Sequence, residues 1–400
     1  MKVLYISYWG LNDGLTQSSV LPHIRILSQM HEVSKIYFVT IERGAERMGS
    51  PELGPQVVHM VLRSKRLPVN FLEKVNDFWF FPRTLKAWIS RYSIDLMVCR
   101  SSPAGALGAI INRRTGIPFI VESFEPHAEY MLDAKVWSRW GLKYFFQSRW
   151  EQRIVQKATG IITVSRHYKD KLKLDRSASI ETFPCAVNVG QFEFDMGLRK
   201  AIRSKLGFEN KLVGIYVGKF GDIYYDQTAF FIFKRAYDLL GEEFRLIVLS
   251  PVEKSIVLHA LKKENFPIEK VFVDKVPHQE VPAYLSAADF AFSMVRPAPV
   301  RLYCSPIKDG EYWANGLPIL SPEGVGEDSE IIVSENAGAV FREDLGDLDE
   351  AILKIKMLSA GDRKGHIRSV AAKYRSFDPL VGIYRGVFKE IQKSSLLESI

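Results

Sequence analysis

The chain has 400 residues, of which 47% are hydrophobic and 25% charged, a balance typical of a folded protein rather than a disordered one. A chain of this length is too long for one ordinary hydrophobic core, so we expect two domains of roughly 180 residues each. Three widely separated cysteines exclude a disulfide framework or a CxxC zinc site and favour a reducing compartment. No apolar run reaches the roughly 18 residues of a membrane span, and no signal peptide is recognisable, so we expect a cytoplasmic protein.

The positive charge lies in the first half of the chain. Residues 1–190 carry 26 Lys and Arg against 16 Asp and Glu, whereas the remainder carries 28 against 30. This asymmetry predicts an anionic partner for the first half, either a membrane surface, a phosphorylated acceptor or a nucleic acid. A solvated basic face that serves only solubility is the alternative.

Both halves alternate apolar runs, typical of strands, with stretches of helical spacing. The predicted strands of the first half are Val3–Tyr8, Ile36–Thr40, Leu96–Cys99, Pro118–Glu122 and Ile161–Val164. Those of the second half are Leu212–Val217, Phe244–Leu249, Lys270–Val273, Phe290–Ser293, Pro318–Leu320 and Ala339–Phe341. Such alternation predicts an α/β protein with parallel strands and right-handed crossovers.

We therefore expect two Rossmann-like, doubly wound parallel-sheet domains, one at residues 1–190 and the other at 191–377. A helix over about 378–400 is expected to pack back on the first domain. Open α/β sheets bind ligands at the carboxyl ends of their strands, so we expect the site in a cleft lined by the loops that follow strands.

Two loops of the first half carry candidate residues. Gly10 and Gly14 follow the first strand and precede a helix from about Gln17, so the backbone can approach a phosphate or a sugar there. The loop lacks GxGxxG, which disfavours a nicotinamide cofactor, and it could also be a plain tight turn. His127 follows the fourth strand between carboxylates, where it could orient an acceptor hydroxyl, stabilise positive charge or serve only as a structural donor.

Two loops of the second half add further candidates. Gly218 and Lys219 follow a strand, and the lysine could neutralise a diphosphate leaving group. The turn that begins at Val276 could pair its main chain with the edge of a nucleobase.

Residues 305–320 hold the most informative pattern, a turn, a short helix, a glycine stop and a buried strand. The turn of Ser305, Pro306, Ile307 and Lys308 would present amide groups and the positive end of a helix dipole to an anion. Glu311, in the first turns of that helix, could accept hydrogen bonds from two ribose hydroxyls. Together these features predict half of a nucleotide-sugar site.

Taken in order, the motifs resemble those of family 4-type retaining glycosyltransferases, which have the two-Rossmann GT-B fold and use no metal ion. The resemblance covers nearly the whole chain, and residues 311–318, EYWANGLP, carry its most specific part. It implies that Glu311 binds the ribose, Lys219 the diphosphate and the Gly10–Gly14 loop the phosphate-sugar end of the donor. It also implies that His127 lies near the reacting sugar, while the 305–308 turn and the loop at Gly324 supply amides.

Three positions depart from the family pattern. Tyr303 stands where the family usually has a second Glu, eight residues before Glu311. A second basic residue is missing after Lys219, and Ser250-Pro251 replaces a glycine-rich turn. Lys308 could supply the missing positive charge. The donor pocket is therefore altered, and a weakly active or inactive protein is an alternative.

Two segments of the first half, 63–92 and 135–157, mix cations with aromatic residues and hold five of the seven tryptophans. Tryptophan favours the headgroup region of a bilayer, and cations favour anionic lipids. We therefore expect these segments to contact the inner face of the membrane, the alternative being aromatic core with solvated cations. No signature of nucleic-acid binding accompanies them.

The sequence thus predicts a metal-independent enzyme without cofactor that transfers a sugar from a nucleoside diphosphate to a glycan or lipid-linked acceptor, with retention, in surface-glycan assembly. Another nucleotide-sugar enzyme, such as an epimerase, is one alternative, although its usual acid and base carboxylates are not evident. A non-catalytic subunit that scaffolds a partner enzyme is the other.

Overall fold

The computed structural model describes residues 1–43, 53–66, 70–173 and 179–397, and only the backbone of residues 70, 71 and 392–397. Residues 67–69 of the aromatic segment, the side chain of Phe71 and residues 398–400 of the predicted terminal helix therefore lie outside the described part. The chain divides into two compact units. The first comprises residues 1–132, 137–184 and those from Phe377 onward, and the second comprises 133–136 and 185–376.

The first unit contains a seven-stranded parallel sheet in the order β3-β2-β1-β4-β5-β6-β7. Its elements are β1 Lys2–Ser7, α1 Leu21–Gln29, β2 Lys35–Glu42, β3 Val57–Arg63, α2 Asn70–Tyr92, β4 Leu96–Arg100, α3 Ser101–Thr115, β5 Phe119–Phe124, α4 His127–Asp133, α5 Leu142–Lys157, β6 Gly160–Thr163, α6 Arg166–Lys173 and β7 Ser179–Thr182. Strands β1 and β4 lie in the middle of the sheet, and their near-continuous apolar runs are buried because helices cover both faces.

The second unit contains a six-stranded parallel sheet in the order β10-β9-β8-β11-β12-β13. Its elements are α7 Met196–Leu206, β8 Leu212–Val217, α8 Gln227–Leu240, β9 Phe244–Leu249, α9 Lys254–Lys263, β10 Val271–Asp274, α10 Val281–Ala287, β11 Phe290–Phe292, α11 Ile307–Ala314, β12 Ile319–Pro322, α12 Asp328–Ser334, β13 Gly338–Phe341, α13 Leu348–Ala360 and α14 Lys364–Arg375. This strand order is that of a doubly wound Rossmann-type sheet, in which the chain starts centrally and reverses direction once.

The last helix, α15 Leu380–Leu397, belongs to the first unit. The hydroxyl of Tyr384 on α15 donates a hydrogen bond to the buried carboxylate of Glu122 on β5. Nη1 of Arg100, at the end of β4, donates to the same carboxylate at 3.2 Å. The buried charge of Glu122 is thereby paired and hydrogen-bonded, as a buried carboxylate requires, and it ties α15 to the sheet.

The helix predicted from about Gln17 begins irregularly. A π-helical turn spans Thr16–Val20, and regular α-helix starts only at Leu21. Pro22 closely follows this turn, so its missing N–H cannot donate to the preceding turn of the helix.

Candidate functional site

The loops after the strands of the second unit meet at one edge, because all its strands are parallel and end on the same side. Gly218 and Lys219 follow β8, the turn from Val276 follows β10, and residues 323–326 follow β12. The 305–308 turn lies between β11 and β12 and leads into α11. The structure therefore places the predicted donor-binding residues of this unit at one sheet edge.

Helix α11 begins at this edge with its amide groups uncapped by side chains. Pro306 occupies the N-cap position with an extended backbone, and no side chain in the described ranges caps the first turn. The first amide groups of a helix have no partner within the helix and carry the positive end of its dipole. The start of α11 is therefore suited to an anion such as a phosphate.

Glu311 lies one turn into α11 and is only 5% exposed. Its Oε1 lies 3.0 Å from Nε2 of His278, in the turn that follows β10. This hydrogen bond raises the pKa of His278 above its ordinary value, although partial burial opposes the rise. The sequence pointed to the main chain of the Val276 turn and did not reveal that His278 holds one oxygen of the Glu311 carboxylate.

The residue after Glu311 fixes the helix against the sheet. Tyr312 is buried, and its hydroxyl accepts a hydrogen bond from the amide of Val217, the last residue of β8, at 3.0 Å. Gly316 ends the helix with φ of +78°, a left-handed conformation that glycine adopts without steric cost. The predicted glycine stop is confirmed, and it sets the register between Glu311 and the start of β12.

Lys308 reaches back to the end of β8. Its Nζ lies 3.1 Å from the Tyr224 hydroxyl and 4.8 Å from the centre of that ring, an arrangement favourable to a cation. A Cβ at Gly218 would stand 3.4 Å from Cε of Lys308 and 2.9 Å from the Tyr216 hydroxyl, so glycine permits the close packing here. A cavity of about 40 Å³ beside Lys308 and Tyr224 admits water rather than a nucleotide.

Lys219 is paired with an acidic neighbour. Its Nζ lies 2.5 Å from Oδ2 of Asp222, and both side chains are about half exposed. Asp222 adopts φ of +56° after Gly221, so the loop folds back and brings its carboxylate to the lysine. The positive charge that the sequence assigned to a diphosphate is thus partly neutralised within its own loop.

Ser305 belongs to a buried polar cluster beneath the 305–308 turn. Its Oγ accepts hydrogen bonds from the amide of Cys185 at 3.0 Å and from Nη1 of Arg375. Arg375 also donates to Asp328 and is nearly fully buried. Burial and the adjacent Asp328 carboxylate raise the pKa of Asp309 well above its ordinary range, so Asp309 keeps its proton.

The loop after β12 packs on the segment that precedes α11. The amide of Gly326 donates to the carbonyl of Arg301 at 2.9 Å, and a Cβ at Gly326 would collide with the carbonyl oxygen of Cys304. Gly324 is open on its Cβ side, whereas the amide of Glu323 is bonded to the carbonyl of Phe341 within the sheet. The amide of Glu323 is therefore already bonded within the sheet, whereas the space beside Gly324 is open.

The Gly10–Gly14 loop of the first unit is covered by an acidic side chain that the sequence did not indicate. Oε1 of Glu42, at the end of β2, accepts a hydrogen bond from the amide of Leu11 at 2.7 Å. A Cβ at Gly10 would lie 2.5 Å from Oε2 of Glu42, so the glycine makes room for this carboxylate. The space beside Gly14 is open.

His127 begins α4 and is partly buried beside Trp137, whose ring centre lies 5.6 Å away edge to face. Burial, aided by the charge of Lys74, lowers the pKa of His127 to about 4. The imidazole is therefore neutral at physiological pH, which suits hydrogen bonding to a hydroxyl and does not suit the role of a resident cation.

Glu151 on α5 supports the start of α4 and was not found from the sequence. Its Oε1 accepts from the amide of Ala128 at 3.1 Å and from Nε2 of Gln147 at 2.8 Å. Burial raises its pKa to about 7, although these hydrogen bonds favour the ionised form.

We expect Glu151→Gln to raise the melting temperature much more at pH 8 than at pH 5. A carboxyl whose pKa is higher in the folded state favours folding when protonated, so its contribution declines as the pH rises from about 4.3 to about 7. Glutamine keeps the acceptor and removes the buried charge, so the free energy of unfolding should rise by about 3 to 4 kcal/mol at pH 8 and by about 1 kcal/mol at pH 5. Thermal melts from pH 5 to 8 measure it, with Glu129→Gln as control. An equal shift at both pH values would contradict it.

Helices α2 and α5 of the first unit share an exposed apolar face. Phe78 on α2 lies 6.1 Å from Phe146 and 6.3 Å from Trp150 on α5, measured between ring centres. Both helices and the turn before α5 also expose apolar side chains, namely Leu72, Val75, Trp79, Phe80, Trp140, Leu142, Phe145 and Phe146. Trp140 is 94% exposed, so the aromatic residues of these segments are only partly core. We call this surface the α2–α5 face.

Two kinds of feature are absent from the described ranges. No helix within them is long and apolar enough to cross a membrane. No group of three or more His, Cys, Asp or Glu side chains in the same residues is arranged to hold a metal ion.

The chain is similar to known glycosyltransferases in one domain model and in overall fold. Residues 28–182 match the model of the glycosyl transferase 4-like domain. No curated protein matches in sequence.

Three solved structures illustrate the similarity of fold. Sucrose-phosphate synthase from Thermosynechococcus elongatus is 14% identical with a TM-score of 0.74, covering 98% of this chain and 100% of its own. WaaG, a glycosyltransferase involved in lipopolysaccharide biosynthesis, is 15% identical with a TM-score of 0.65 over 96% and 99% of the two chains. Anabaena HepE in complex with UDP-glucose is 13% identical with a TM-score of 0.64 over 98% and 100%. The predicted GT-B fold and the predicted resemblance to its glycosyltransferases are confirmed.

Proposed function

We propose that this chain, a glycosyltransferase of the GT-B type, transfers a sugar from a nucleoside diphosphate sugar to a glycan or lipid-linked acceptor. The transfer proceeds with retention, without a metal ion or cofactor, in the biosynthesis of surface polysaccharide or glycoconjugate. The structures of HepE with UDP and with UDP-glucose support a nucleotide-sugar donor. The involvement of WaaG in lipopolysaccharide biosynthesis supports a surface glycan.

One observation carries the proposal for the donor. Helix α11 has an uncapped start at the carboxyl edge of a Rossmann-type sheet, and the buried carboxylate of Glu311 lies one turn further along the same helix. A helix start binds phosphates and a carboxylate accepts from ribose hydroxyls, so this geometry suits a nucleoside diphosphate. Lys308 adds a positive charge in the first turn of the same helix.

The chemistry follows from these roles. As the bond between the sugar and the diphosphate breaks, negative charge grows on the leaving phosphate, and fixed amide groups and Lys308 stabilise that charge. In retaining enzymes of the type that the sequence resembles, the leaving diphosphate helps to deprotonate the acceptor on the same face of the sugar. The neutral His127 orients a hydroxyl by hydrogen bonding, and no protein nucleophile is required.

A two-step experiment tests this function. Thermal shift with UDP, GDP, ADP and dTDP identifies the base, and the matching diphosphate sugars are then assayed for release of the diphosphate, with and without EDTA. We expect the diphosphate of one base to raise the melting temperature. We also expect its diphosphate sugar to be hydrolysed slowly, at a rate that EDTA does not change. If no diphosphate shifts the melting temperature, the non-catalytic scaffold is the better description.

The acceptor is proposed to be lipid-linked and reached by a cytoplasmic protein at the inner face of the membrane. The exposed apolar residues of the α2–α5 face supply contact area, and Lys74 and Lys143 on the same two helices supply positive charge. Burial and the nearby positive charges of Arg43 and Lys143 lower the pKa of Lys74. Several positive charges therefore lie close together here, an arrangement that favours an anionic partner. Apolar contact and cation attraction to anionic lipid add together.

We expect Trp140→Ala combined with Leu142→Ala to weaken sedimentation with vesicles of phosphatidylglycerol and phosphatidylethanolamine by about tenfold. Both side chains are largely exposed, so folding should be unaffected. Met357→Ala with Ile256→Ala removes exposed apolar residues from the second unit and serves as the matched control. Unchanged sedimentation of the first variant would refute membrane contact through this face.

A further inference from the structure

The hydroxyl of Ser305 accepts two hydrogen bonds within the fold, so only its hydrogen is available for a further hydrogen bond. A serine hydroxyl has two acceptor lone pairs and one hydrogen to donate. The amide of Cys185, at 3.0 Å, and Nη1 of Arg375 both donate to Oγ of Ser305. With both lone pairs engaged, Ser305 can act only as a donor, and its hydroxyl donates to no group in the described part of the chain.

Arg375 cannot readily turn away from this contact. Its side chain is buried, its Nη2 donates to Asp328, and its guanidinium lies 5.8 Å from the ring centre of Trp313. A buried, paired guanidinium holds its position, because breaking one bond leaves a charge without compensation. The direction of the Ser305 hydrogen is therefore set by a fixed neighbour.

The position of Ser305 indicates what that hydrogen meets. Ser305 is partly exposed and directly precedes Pro306, at the uncapped start of α11. An anion drawn to that start would lie within reach of the residue before the N-cap. Phosphate oxygens only accept hydrogen bonds, so they match a donor-only hydroxyl better than a sugar hydroxyl, which can also donate.

We propose that the Ser305 hydroxyl donates a hydrogen bond to the diphosphate of the bound nucleotide, with Arg375 and the Cys185 amide as the groups that orient it. The assignment rests on the proposed function and adds a side chain to a contact otherwise attributed to backbone amides. It also explains why a buried arginine stands behind a turn at the protein surface.

The test compares nucleotides that differ only in phosphate. For the base identified among UDP, GDP, ADP and dTDP, calorimetry measures Kd for the diphosphate and for the nucleoside. Ser305→Ala should raise Kd for the diphosphate at least about tenfold and leave Kd for the nucleoside within about twofold, as for one lost hydrogen bond to a charged group. Ser305→Thr keeps the hydroxyl and should retain diphosphate affinity.

Controls separate this role from a structural one. Ser293→Ala removes the hydroxyl that donates to Asp309 at 3.1 Å in the same buried cluster and should leave both affinities unchanged. If Ser305→Ala does not fold, Ser305→Cys replaces it, because a thiol has similar size and is a weak donor. Unchanged diphosphate affinity, or equal loss for nucleoside and diphosphate, overturns the proposal. If wild-type protein binds none of the four diphosphates, the proposed function itself fails.

Discussion

Glu311→Ala will lower kcat/KM for the donor at least about 100-fold, because two hydrogen bonds from ribose hydroxyls to a buried carboxylate contribute about 1.5 to 3 kcal/mol each. His278 holds Oε1 of Glu311 at 3.0 Å and orients the carboxylate before the nucleotide arrives. Folding should tolerate the change, because His278 is 49% exposed and can bond to water instead. Steady-state kinetics and a thermal melt measure both effects.

The ligand can be changed in parallel with the protein. A 2′-deoxy donor should bind the wild-type protein more weakly than the ribose donor does. The Glu311→Ala variant should bind the two donors equally well, because it already lacks the partner of the 2′-hydroxyl. Glu280→Ala, an exposed carboxylate in the turn that contains His278, is the matched control and should retain activity. Additive losses for the protein and ligand changes would show that Glu311 does not contact the ribose.

The strands that could be predicted are those whose burial is uniform. The bounds of β8 and β9 were predicted to the residue, because both are mainly apolar, with Arg245 of β9 as the one charged residue, and both are flanked by glycine, serine or charged residues. Strands β3 and β7 were missed. They form the two edges of the first sheet and are only partly buried, so polar residues such as His59 and Glu181 interrupt their apolar pattern. Edge strands lack the continuous apolar signal of central ones.

The candidate site divides in the same way. The start of α11, Glu311 and Gly316 follow from residues adjacent in sequence, because dipole, spacing and a left-handed stop are local properties. The partners His278, Glu42 and Arg375 lie from 31 to 70 residues away from the groups they hold. Such contacts depend on which strands become neighbours, a property that spacing along one sequence does not report.

Lys308→Ala will lower kcat about 100-fold, a larger loss than that of Lys219→Ala, for which about tenfold or less is expected. Lys308 has a neutral neighbour in the Tyr224 hydroxyl at 3.1 Å, so its charge remains available to a diphosphate at the start of α11. The charge of Lys219 is already shared with Asp222 at 2.5 Å. Because the charge on the leaving group grows in the transition state, the loss should fall on kcat more than on KM.

Two further variants make the comparison of the lysines decisive. Tyr224→Phe removes the hydroxyl beside Lys308 but keeps the ring, and it should change kcat less than about threefold, since the cation itself is retained. Asp222→Asn removes the negative charge beside Lys219, so Lys219→Ala should lower kcat more in the Asp222→Asn background than in the wild type. The difference between the two losses measures how far Asp222 neutralises the charge of Lys219. A greater loss from Lys219→Ala than from Lys308→Ala would return the diphosphate to the lysine that the family resemblance implies. The opposite order would mean that the positive charge in this protein has moved from the loop after β8 to the first turn of α11.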